Sequence, residues 1–499
     1  MKKIISFIIM SLMLLSNTYA NDDFKGVWVA TVYNLDYPTN PTTDLNKLKS
    51  EAVAILDNIQ RLGFNAVFLQ VRPSADSFYK SSLFPWSNYL TGTNGVAPKD
   101  NFDPLSFWIT EAHKRGIELH AWINPYRITK NGDSEYNLIS ENSPAKLYPE
   151  YVVKYSDGNC YFNPGIPEVR KLVIDGVLEI INNYDVDGIH MDDYFYPGAS
   201  FDDSEAYKKY KGSFTNIEDW RRNNVNLLVK ELGEKIHSID KNISYGISPA
   251  GIWANAKNNS LGSNTNGSES YYLHYADTRK WALENWVDYI APQIYWENGN
   301  KAADYENLIN WWSNTLKNSN TKLYVGLADY RVEGAGKNSV WYNGKEIKKQ
   351  MNQNLNNNII DGEIHYRYSS IISNTNLFNA IKEQYSDKEI TVWINNKKLL
   401  FDTKPEIQNG RTLVPIRVIF EELGATVSWN NNKITAKKGD VIVQLEIGSN
   451  IMYINNKKVK LDVPPAIKKN RTLVPLRAIS EAFNNRVTWN GIYKTIEIN

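Results

Sequence analysis

Two adjacent carboxylates, Asp192 and Asp193, are the residues of this sequence with the clearest potential for catalysis. They end an apolar stretch, and strand alternation there places His190 and Asp192 on one face, with Ile189 and Met191 on the other. Neighbouring carboxylates repel each other, which raises the pKa of one and lets it hold a proton. Cleavage of a glycosidic bond needs such a donor and a second carboxylate. The pair therefore predicts glycoside hydrolysis, against the alternative that it caps a helix.

A further carboxylate, Glu297, follows another predicted strand and is our candidate for the general acid, with Asp76 and Asp329 in reserve. His190 beside the aspartates also raises the possibility of a metal. The chain has only six histidines, no HExxH motif and no His/Cys cluster, so we predict no metal and no cofactor. A Ser-His-Asp triad is not favoured either, because the chain has no GxSxG motif.

Aromatic and polar side chains concentrate at the ends of the same predicted strands. Rings stack on sugar faces, and amide, imidazole and guanidinium groups bond hydroxyls and acetamides. The predicted sugar platforms are Trp28, Trp86, Trp122, Tyr126, Tyr194, Tyr196, Tyr295 and Trp296. The predicted polar contacts to substrate are Gln70, Arg72, Asp76, His120, Asn124, Arg127, His190, Gln293 and Asp329.

Eight strand-like stretches alternate with amphipathic helical stretches and position these residues. The predicted strands are residues 26–32, 66–71, 118–124, 188–192, 244–248, 289–295, 323–328 and 363–368. This pattern favours an α/β fold, a (β/α)8 TIM barrel with enlarged loops over residues 21–385. An open doubly wound sheet is the alternative, weakened by the lack of a glycine-rich loop after the first strand.

Composition excludes several classes of protein. With 499 residues, 42% hydrophobic and 22% charged, the chain is neither wholly disordered nor a coiled coil. Its net charge of +1 does not mark a nucleic-acid-binding protein. The aromatic content of 12% suits either sugar stacking or a large core.

The first twenty residues have the pattern of a secretory signal. Lys2 and Lys3 precede a short apolar run, and Ala20 offers a cleavage site. That run is too short to span a membrane comfortably, and no other stretch is long and apolar enough. Cys160 is the only cysteine, so no internal disulfide and no lipobox attachment is expected, and we assign it a structural role. We predict a secreted or cell-wall-associated protein that does not span the membrane.

Residues 390–499 contain one unit twice, at a constant offset of 60 residues. The segment Arg411-Thr412-Leu413-Val414-Pro415 recurs as Arg471-Thr472-Leu473-Val474-Pro475. We predict two small α+β repeats, each with short strands and a helix. From Ile390 onward there are 17 Lys and Arg against 9 Asp and Glu, a local charge of +8. Such a module either binds anionic cell-wall polymers or is a solvated spacer.

Several motifs, in order along residues 24–385, resemble the glycosyl hydrolase-like 10 family. They are residues 26–32 (GVWVATV), 68–73 (FLQVRP), 120–127 (HAWINPYR), 187–197 (DGIHMDDYFYP) and 292–296 (PQIYW). The resemblance implies a (β/α)8 glycosidase with Asp192 and Asp193 in its active site. Members of this family include bacterial envelope enzymes that cut peptidoglycan glycan strands lacking stem peptides.

Two weaker similarities concern the barrel and the repeats. Chitinase-type barrels carry Asp-Gly-x-Asp-x-Asp-x-Glu on strand four, but this chain has His190 and Tyr194 where that motif has its middle Asp and its acid. Only Asp192 keeps its place, so the chitinase mechanism does not transfer whole. The repeats resemble the copper amine oxidase N-terminal domain, without implying copper, because neither copy contains His or Cys.

The sequence thus predicts an exported hydrolase of a β-linked amino-sugar polymer, most simply the peptide-free glycan strands of peptidoglycan. Hydrolysis of another N-acetylglucosamine polymer is an alternative, and so is a wall-binding protein without catalysis. Retaining, inverting and substrate-assisted mechanisms all stay open at this point.

Overall fold

Eight parallel strands close into a barrel in the computed structural model, which describes residues 24–385, 390–395, 397–408, 411–468, 471–490 and 494–499. The strands are β1 (Phe24–Val29), β2 (Ala66–Arg72), β3 (Glu118–Ile123), β4 (Gly188–Met191), β5 (Ser244–Ile247), β6 (Tyr289–Ile290), β7 (Lys322–Leu327) and β8 (Ile360–His365). They follow one another around the barrel, and β8 pairs with β1. The predicted (β/α)8 barrel is confirmed and the open sheet is wrong. The predicted signal peptide, residues 1–20, lies outside the described residues.

A helix follows each strand and covers the outside of the barrel. These helices are α1 (Leu45–Leu62), α2 (Pro104–His113), α3 (Pro167–Asn183), α4 (Ile217–Ile239), α5 (Thr278–Leu283), α6 (Tyr305–Leu316), α7 (Lys345–Leu355) and α8 (Thr375–Tyr385). Carboxylate side chains cap four of them: Asp44, Asp103, Asp277 and Asp304 accept from backbone N–H groups of the first turns of α1, α2, α5 and α6. Among the described residues no helix is long and apolar enough to cross a membrane.

Alternation along the strands separates the barrel interior from the layer under the helices. On β4, Ile189 and Met191 face the helices, whereas His190 and Asp192 face the barrel axis, as predicted. The regular part of β6 ends at Ile290 because Pro292 has no N–H to donate. Gln293 continues the sheet through isolated bridges to Ala250 and Gly326.

Long loops at the carboxyl ends of the strands contain further short elements. Their helices are Asn88–Thr91, Gly132–Leu138, Pro144–Leu147, Ser204–Tyr210, Ser270–Leu273 and Tyr368–Ser373. The loop after β3 also holds a hairpin of Val152–Lys154 and Cys160–Phe162, in which Cys160 is buried. Burial raises the pKa of the Cys160 thiol. The enlarged loops predicted from the sequence are thus concentrated around the mouth of the barrel.

A buried ion pair joins β8 to the segment after β7, and a hydrogen bond from the same histidine reaches the last helix of the barrel. His365 donates through Nδ1 to Asp329 at 2.9 Å, and its Nε2 lies 2.7 Å from the Tyr385 hydroxyl of α8. Tyr385 donates in turn to Glu363 at 2.5 Å. Burial alone would lower the pKa of His365, but Asp329 and Glu363 raise it to about 9. His365 is therefore an imidazolium at neutral pH, with both ring nitrogens donating.

We expect Asp329→Asn to lower the free energy of unfolding by about 3–5 kcal/mol, because it leaves a buried imidazolium without its counter-ion. Urea denaturation at pH 7 measures the loss. The raised pKa of His365 contributes stability that is complete below about pH 6.5 and is lost as the pH rises through 9. This dependence should weaken in the variant, where only Glu363 still raises the pKa of His365. Lys348→Gln, which removes an exposed pair with Glu383, is the control and should cost less than about 1 kcal/mol. Equal losses from the two variants would contradict this account of the pair.

The two 60-residue repeats fold as one unit around a shared core. Thr391–Ile394 of the first copy pairs in parallel with Thr495–Ile498 of the second, and Arg411–Pro415 pairs antiparallel with Arg471–Pro475. Each copy contributes one helix, Ile416–Glu422 or Leu476–Ala482, to a single hydrophobic cluster. The remaining strands are Lys397–Lys398, Glu406–Gln408, Thr426–Asn430, Lys433–Lys438, Val441–Glu446, Ile451–Ile454, Lys457–Lys460, Ala466–Lys468 and Val487–Asn490.

Reciprocal ion pairs join the two copies across their pseudo-twofold relation. Arg411 of the first copy donates to Asp462 of the second at 2.6 Å, and Arg471 of the second donates to Asp402 of the first at 2.6 Å. The duplication read from the sequence is therefore a duplication of structure, in which neither copy is a separate body.

Candidate active site

Asp192 lies at the centre of the barrel mouth, held by side chains from β3. The Trp122 indole donates to Asp192 Oδ2 at 3.2 Å, and Asn124 Nδ2 lies 3.0 and 3.1 Å from the two carboxylate oxygens. Both donors face inward at the end of β3, next to β4 in the sheet. Asp192 is 3% exposed. The barrel thus presents one fixed, nearly dry carboxylate to whatever enters the mouth.

Burial controls the electrostatics of Asp192. It raises the pKa of the carboxyl to about 6, against the opposing effect of the Arg127 guanidinium. The charge of Asp193 raises this pKa further, while the donors Asn124 and Trp122 lower it. A carboxyl with such a pKa can be ionised or protonated near neutral pH, as acid–base catalysis requires.

Asp193 follows β4 and is half-buried beside different partners. Burial raises its pKa, whereas the electrostatic interaction with His274 and a hydrogen bond from Gln293 lower it. Gln293 also donates to the Ser248 carbonyl at 2.8 Å. The Nδ1 atom of His274 lies 2.8 Å from the Tyr196 carbonyl, which only accepts, so Nδ1 carries a proton. His274 Nε2 is the ring nitrogen left for contact with Asp193 or a ligand.

Aromatic rings and one cation, Lys130, form the wall of the mouth. Arg127 lies behind this wall and is 4% exposed, with Nε and Nη2 donating to the Pro73 carbonyl at 2.9 and 2.7 Å, so its prediction as a substrate contact is wrong. Tyr194 is 42% exposed, with the Arg127 guanidinium 5.2 Å and the Lys130 amino group 5.8 Å from its ring centroid. Opposite, Tyr295 and Tyr366 stack with centroids 5.9 Å apart. Such rings suit the faces of sugars, and the Lys130 amino group suits an anionic substituent.

Three predicted contacts lie below the mouth, inside the barrel. Trp28 donates to His190 Nε2 at 3.1 Å, and His190 Nδ1 contacts the Tyr289 hydroxyl at 3.0 Å. Burial lowers the pKa of His190 well below its usual value, so it is a neutral core residue. His120 lies deeper, 3.3 Å from the same Tyr289 hydroxyl. The predictions of Trp28, His120 and His190 as substrate contacts are therefore wrong, because all three side chains are buried among interior residues.

The predictions of Gln70 and Arg72 as substrate contacts are also wrong. The Gln70 side-chain oxygen accepts from the backbone N–H groups of Thr31 and Val32, and the residue is 1% exposed. The pairing of β2 with β3 shifts register between Gln70 and Arg72. Arg72 consequently points away from the axis, and its guanidinium lies 4.0 Å from the Phe84 ring under the helices. Neither side chain reaches the mouth.

Tyr126, Tyr196 and Asp329 are fully buried in the layer outside the barrel and are not sugar contacts either. Tyr126 and Tyr196 belong to the main hydrophobic core, and Asp329 is the partner of His365 described above. Each comes just after a strand end, where the chain already turns down between the barrel and the helices. Nearness to a strand end in sequence was thus not enough to place them at the mouth.

Three of the remaining predicted residues lie in loops at the rim. Glu297 accepts from Asn300 of its own loop at 2.9 Å, and it makes no hydrogen bond to Asp192 or Asp193 among the described residues. Trp86 and Trp296 are half-buried. The structure therefore places Asp193, and not Glu297, beside Asp192.

His274, Lys130 and Tyr366 are site residues that the sequence analysis missed. His274 stands in the long loop after β5, next to a four-residue helix, where no motif marks it. Lys130 is three residues after a motif that was noted, so a longer reading of the β3 loop would have found it. Tyr366 follows His365 at the end of β8, and its ring contacts Trp28 at 5.9 Å.

A closed (β/α)8 barrel with a carboxylate pair in a tyrosine-lined mouth has the groups that glycoside hydrolysis needs. Comparison with known proteins agrees. A model of the glycosyl hydrolase-like 10 family matches residues 23–343, and one of the copper amine oxidase N-terminal domain matches residues 393–498. The chain belongs to the glycosyl hydrolase-like 10 family, which confirms both family resemblances read from the sequence.

Individual proteins show the same relation. The chain is 39% identical over 424 residues to glycosyl hydrolase YngK of Bacillus subtilis (strain 168), covering 82% of each protein. It is 40% identical over 368 residues to glycosyl hydrolase DigH of Escherichia coli (strain K12), covering 70% of this chain and 83% of that protein. The PgaB glycoside hydrolase domain of Bordetella bronchiseptica has a similar fold, with a TM-score of 0.50 at 14% identity, over 73% of this chain and 99% of that chain.

Proposed function

We propose that this protein is an exported hydrolase of β-linked amino-sugar polymers whose substrate is peptidoglycan glycan lacking stem peptides. The observation that carries the proposal is the Asp192–Asp193 pair in a mouth walled by Tyr194, Tyr295 and Tyr366. Hydrolysis of a polysaccharide needs paired carboxylates, and sugar rings stack on tyrosines. The implied activity of envelope members of the family supports the choice of substrate. Export rests on the signal pattern at residues 1–20.

In the proposed reaction Asp193 is the proton donor and Asp192 the stabilising carboxylate. Asp193 is more accessible, and its proton passes to the glycosidic oxygen as the bond from that oxygen to the anomeric carbon breaks. Ionised Asp192, fixed by Trp122 and Asn124, stabilises the positive charge that develops at the anomeric carbon. Water then supplies hydroxide to that carbon, and the proton it releases restores Asp193.

Comparison of three glycans tests the substrate. The mature protein is incubated with peptide-free peptidoglycan strands, intact peptidoglycan and chitin, and new reducing ends are counted. Release from the peptide-free strands alone is the expected result. Equal or faster release from chitin would replace our substrate with another N-acetylglucosamine polymer.

We further propose that the repeat unit attaches the enzyme to anionic cell-wall polymers through one sheet face. In the five-stranded sheet of this unit, the outward side chains include Lys433, Lys437, Lys458 and Lys460, and none of them forms an ion pair with a described carboxylate. Tyr453 lies among them and is 41% exposed. Glu446 is the outward carboxylate of the same strands. A flat basic face with an exposed ring is complementary to a polyanionic polysaccharide.

Replacing the four lysines by glutamine is expected to weaken retention on a poly(glycerol phosphate) polymer at least tenfold at low salt, because each lysine contributes screened attraction to phosphate. Co-sedimentation with the immobilised polymer measures retention. The matched control replaces four exposed barrel lysines, Lys235, Lys241, Lys317 and Lys349, and should retain wild-type binding at the same net charge. Similar losses in both variants would contradict a defined face.

A further inference from the structure

A cavity of about 300 Å³ opens next to the mouth, between the loops that follow β2 and β3. Its lining includes Asp76, Asn88, Asn94, Ile128, Ser134 and Glu135. This volume suits a single sugar ring better than a peptide. The lining contains carboxylates, amides and hydroxyls together with apolar side chains. These groups complement the hydroxyls, the acetamide and the apolar face of an amino-sugar ring.

Two buried hydroxyls lie close to the carboxylates of the cavity but outside its lining. The hydroxyls of Tyr89 and Ser74 are buried and make no hydrogen bond to the described residues. Tyr89 lies within reach of the charges of Glu135 and Asp76, which together with burial raise the pKa of its hydroxyl. The Ser74 backbone N–H donates to Asp76 Oδ1 at 3.3 Å. Because both hydroxyls are closed to solvent, the ligand contacts that we propose come from the lining residues alone.

The charge of the cavity limits what it can accept. Glu135 is fixed, because its Oε2 accepts from the backbone N–H groups of Lys130 and Asn131 at 2.6 and 2.8 Å. Asp76 is buried, and burial raises its pKa to about 6. Two carboxylates repel an anionic group but accept hydrogen bonds from hydroxyls and an acetamide N–H.

The cavity carries carboxylates, whereas the neighbouring part of the mouth carries the Lys130 amino group. The cavity adjoins the mouth, because Asn131 of its lining follows Lys130, which reaches the ring of Tyr194 beside Asp193. The Lys130 amino group lies 5.8 Å from the ring centroids of both Tyr33 and Tyr194. One acidic position and one basic position therefore stand side by side.

We propose that this cavity is a subsite for an uncharged N-acetylhexosamine, and that Lys130 receives the carboxylate-bearing sugar next to it. The inference rests on the proposed function. Peptide-free peptidoglycan alternates a neutral amino sugar with one that carries a carboxylate, so this arrangement fixes the register of the strand. Only every second glycosidic bond then reaches Asp193, and the enzyme cuts one of the two linkages.

Blocking the cavity tests the subsite. Ser134→Phe puts a ring into the cavity from the exposed helix Gly132–Leu138, and Asn137→Phe places the same ring on that helix outside the lining. Binding of N-acetylglucosamine tetramer is measured by calorimetry on both variants in the full chain, with melting temperatures to confirm folding. We expect at least tenfold weaker binding for Ser134→Phe and less than twofold change for Asn137→Phe. Equal affinities would overturn the subsite.

Activity separates this inference from the proposed function. If the wild type releases no product from any glycan, the proposed function fails, while the binding comparison still reports on the cavity. If the wild type cleaves and its products end on both kinds of sugar, the register inference fails although the function stands. Products that all end on the same sugar, shifted towards a mixture by Ser134→Phe, are the expected result.

Discussion

Asp193→Asn is expected to lower kcat on peptide-free glycan strands by about 10³-fold, with little change in KM. An asparagine keeps the size and polarity of the side chain but cannot transfer a proton to the leaving oxygen, and general acid catalysis is worth about 10²–10⁴ in rate. Initial rates of reducing-end release measure the effect. Asp202→Asn is the matched control, because Asp202 is an exposed carboxylate of the same β4–α4 loop that bonds Ser204. It should keep the wild-type rate.

A fall of less than tenfold for Asp193→Asn would show that another group donates the proton. Glu297 would then be the next residue to replace, since it is the predicted acid that the geometry does not place beside Asp192. A fall in both Asp193→Asn and Asp202→Asn would point to damage to the loop and not to lost chemistry.

Asp192→Asn is expected to change the pH dependence of stability as well as abolish activity. Burial raises the pKa of Asp192 to about 6, so the native state binds this proton more tightly than the unfolded chain does. Ionisation therefore opposes folding, and the wild type loses this contribution as the pH rises from about 4 through 6. The free energy of unfolding of the variant, relative to wild type, should rise by about 2 kcal/mol between pH 4.5 and 7.5.

Urea denaturation at the two pH values measures that difference. The comparison cancels any constant effect of the substitution, such as the changed hydrogen bonds to Trp122 and Asn124. Asp202→Asn should show no such rise, because Asp202 is exposed. A flat difference for Asp192→Asn would mean that Asp192 titrates as an ordinary surface carboxyl and would contradict the buried environment described for it.

The sequence was sufficient for the architecture because the barrel repeats one simple pattern. Each strand–helix unit carries its own alternation and its own caps, such as Asp44 before α1 and the left-handed Gly63 after it (φ 87°). Alternation also placed His190 and Asp192 on the inner face correctly. Strand alternation does not give the position of a residue along the barrel axis. It therefore groups His190 with Asp192, although His190 lies in the core and Asp192 lies in the mouth.

Local irregularities of the chain account for other differences between the predicted and the observed positions of side chains. The register shift after Gln70 turns Arg72 outward, and a regular strand pattern contains no sign of it. His274 is brought to Asp193 by a loop between β5 and α5, and such long-range placement has no sequence period. In the repeats, the 60-residue offset revealed duplication but not the exchange of strands between copies, because a repeat in sequence is equally consistent with two separate units.

The central claim is that the Asp192–Asp193 mouth hydrolyses amino-sugar glycan. Mass spectrometry of the products that the wild type and Asp193→Asn release from peptide-free peptidoglycan strands tests it most directly. We predict that the wild type yields short fragments of both amino sugars, each heavier by one water than the sum of its residues, and that the variant yields almost none. Fragments of equal amount from both proteins, or none from a folded wild type that stays bound to the strands, would contradict the account.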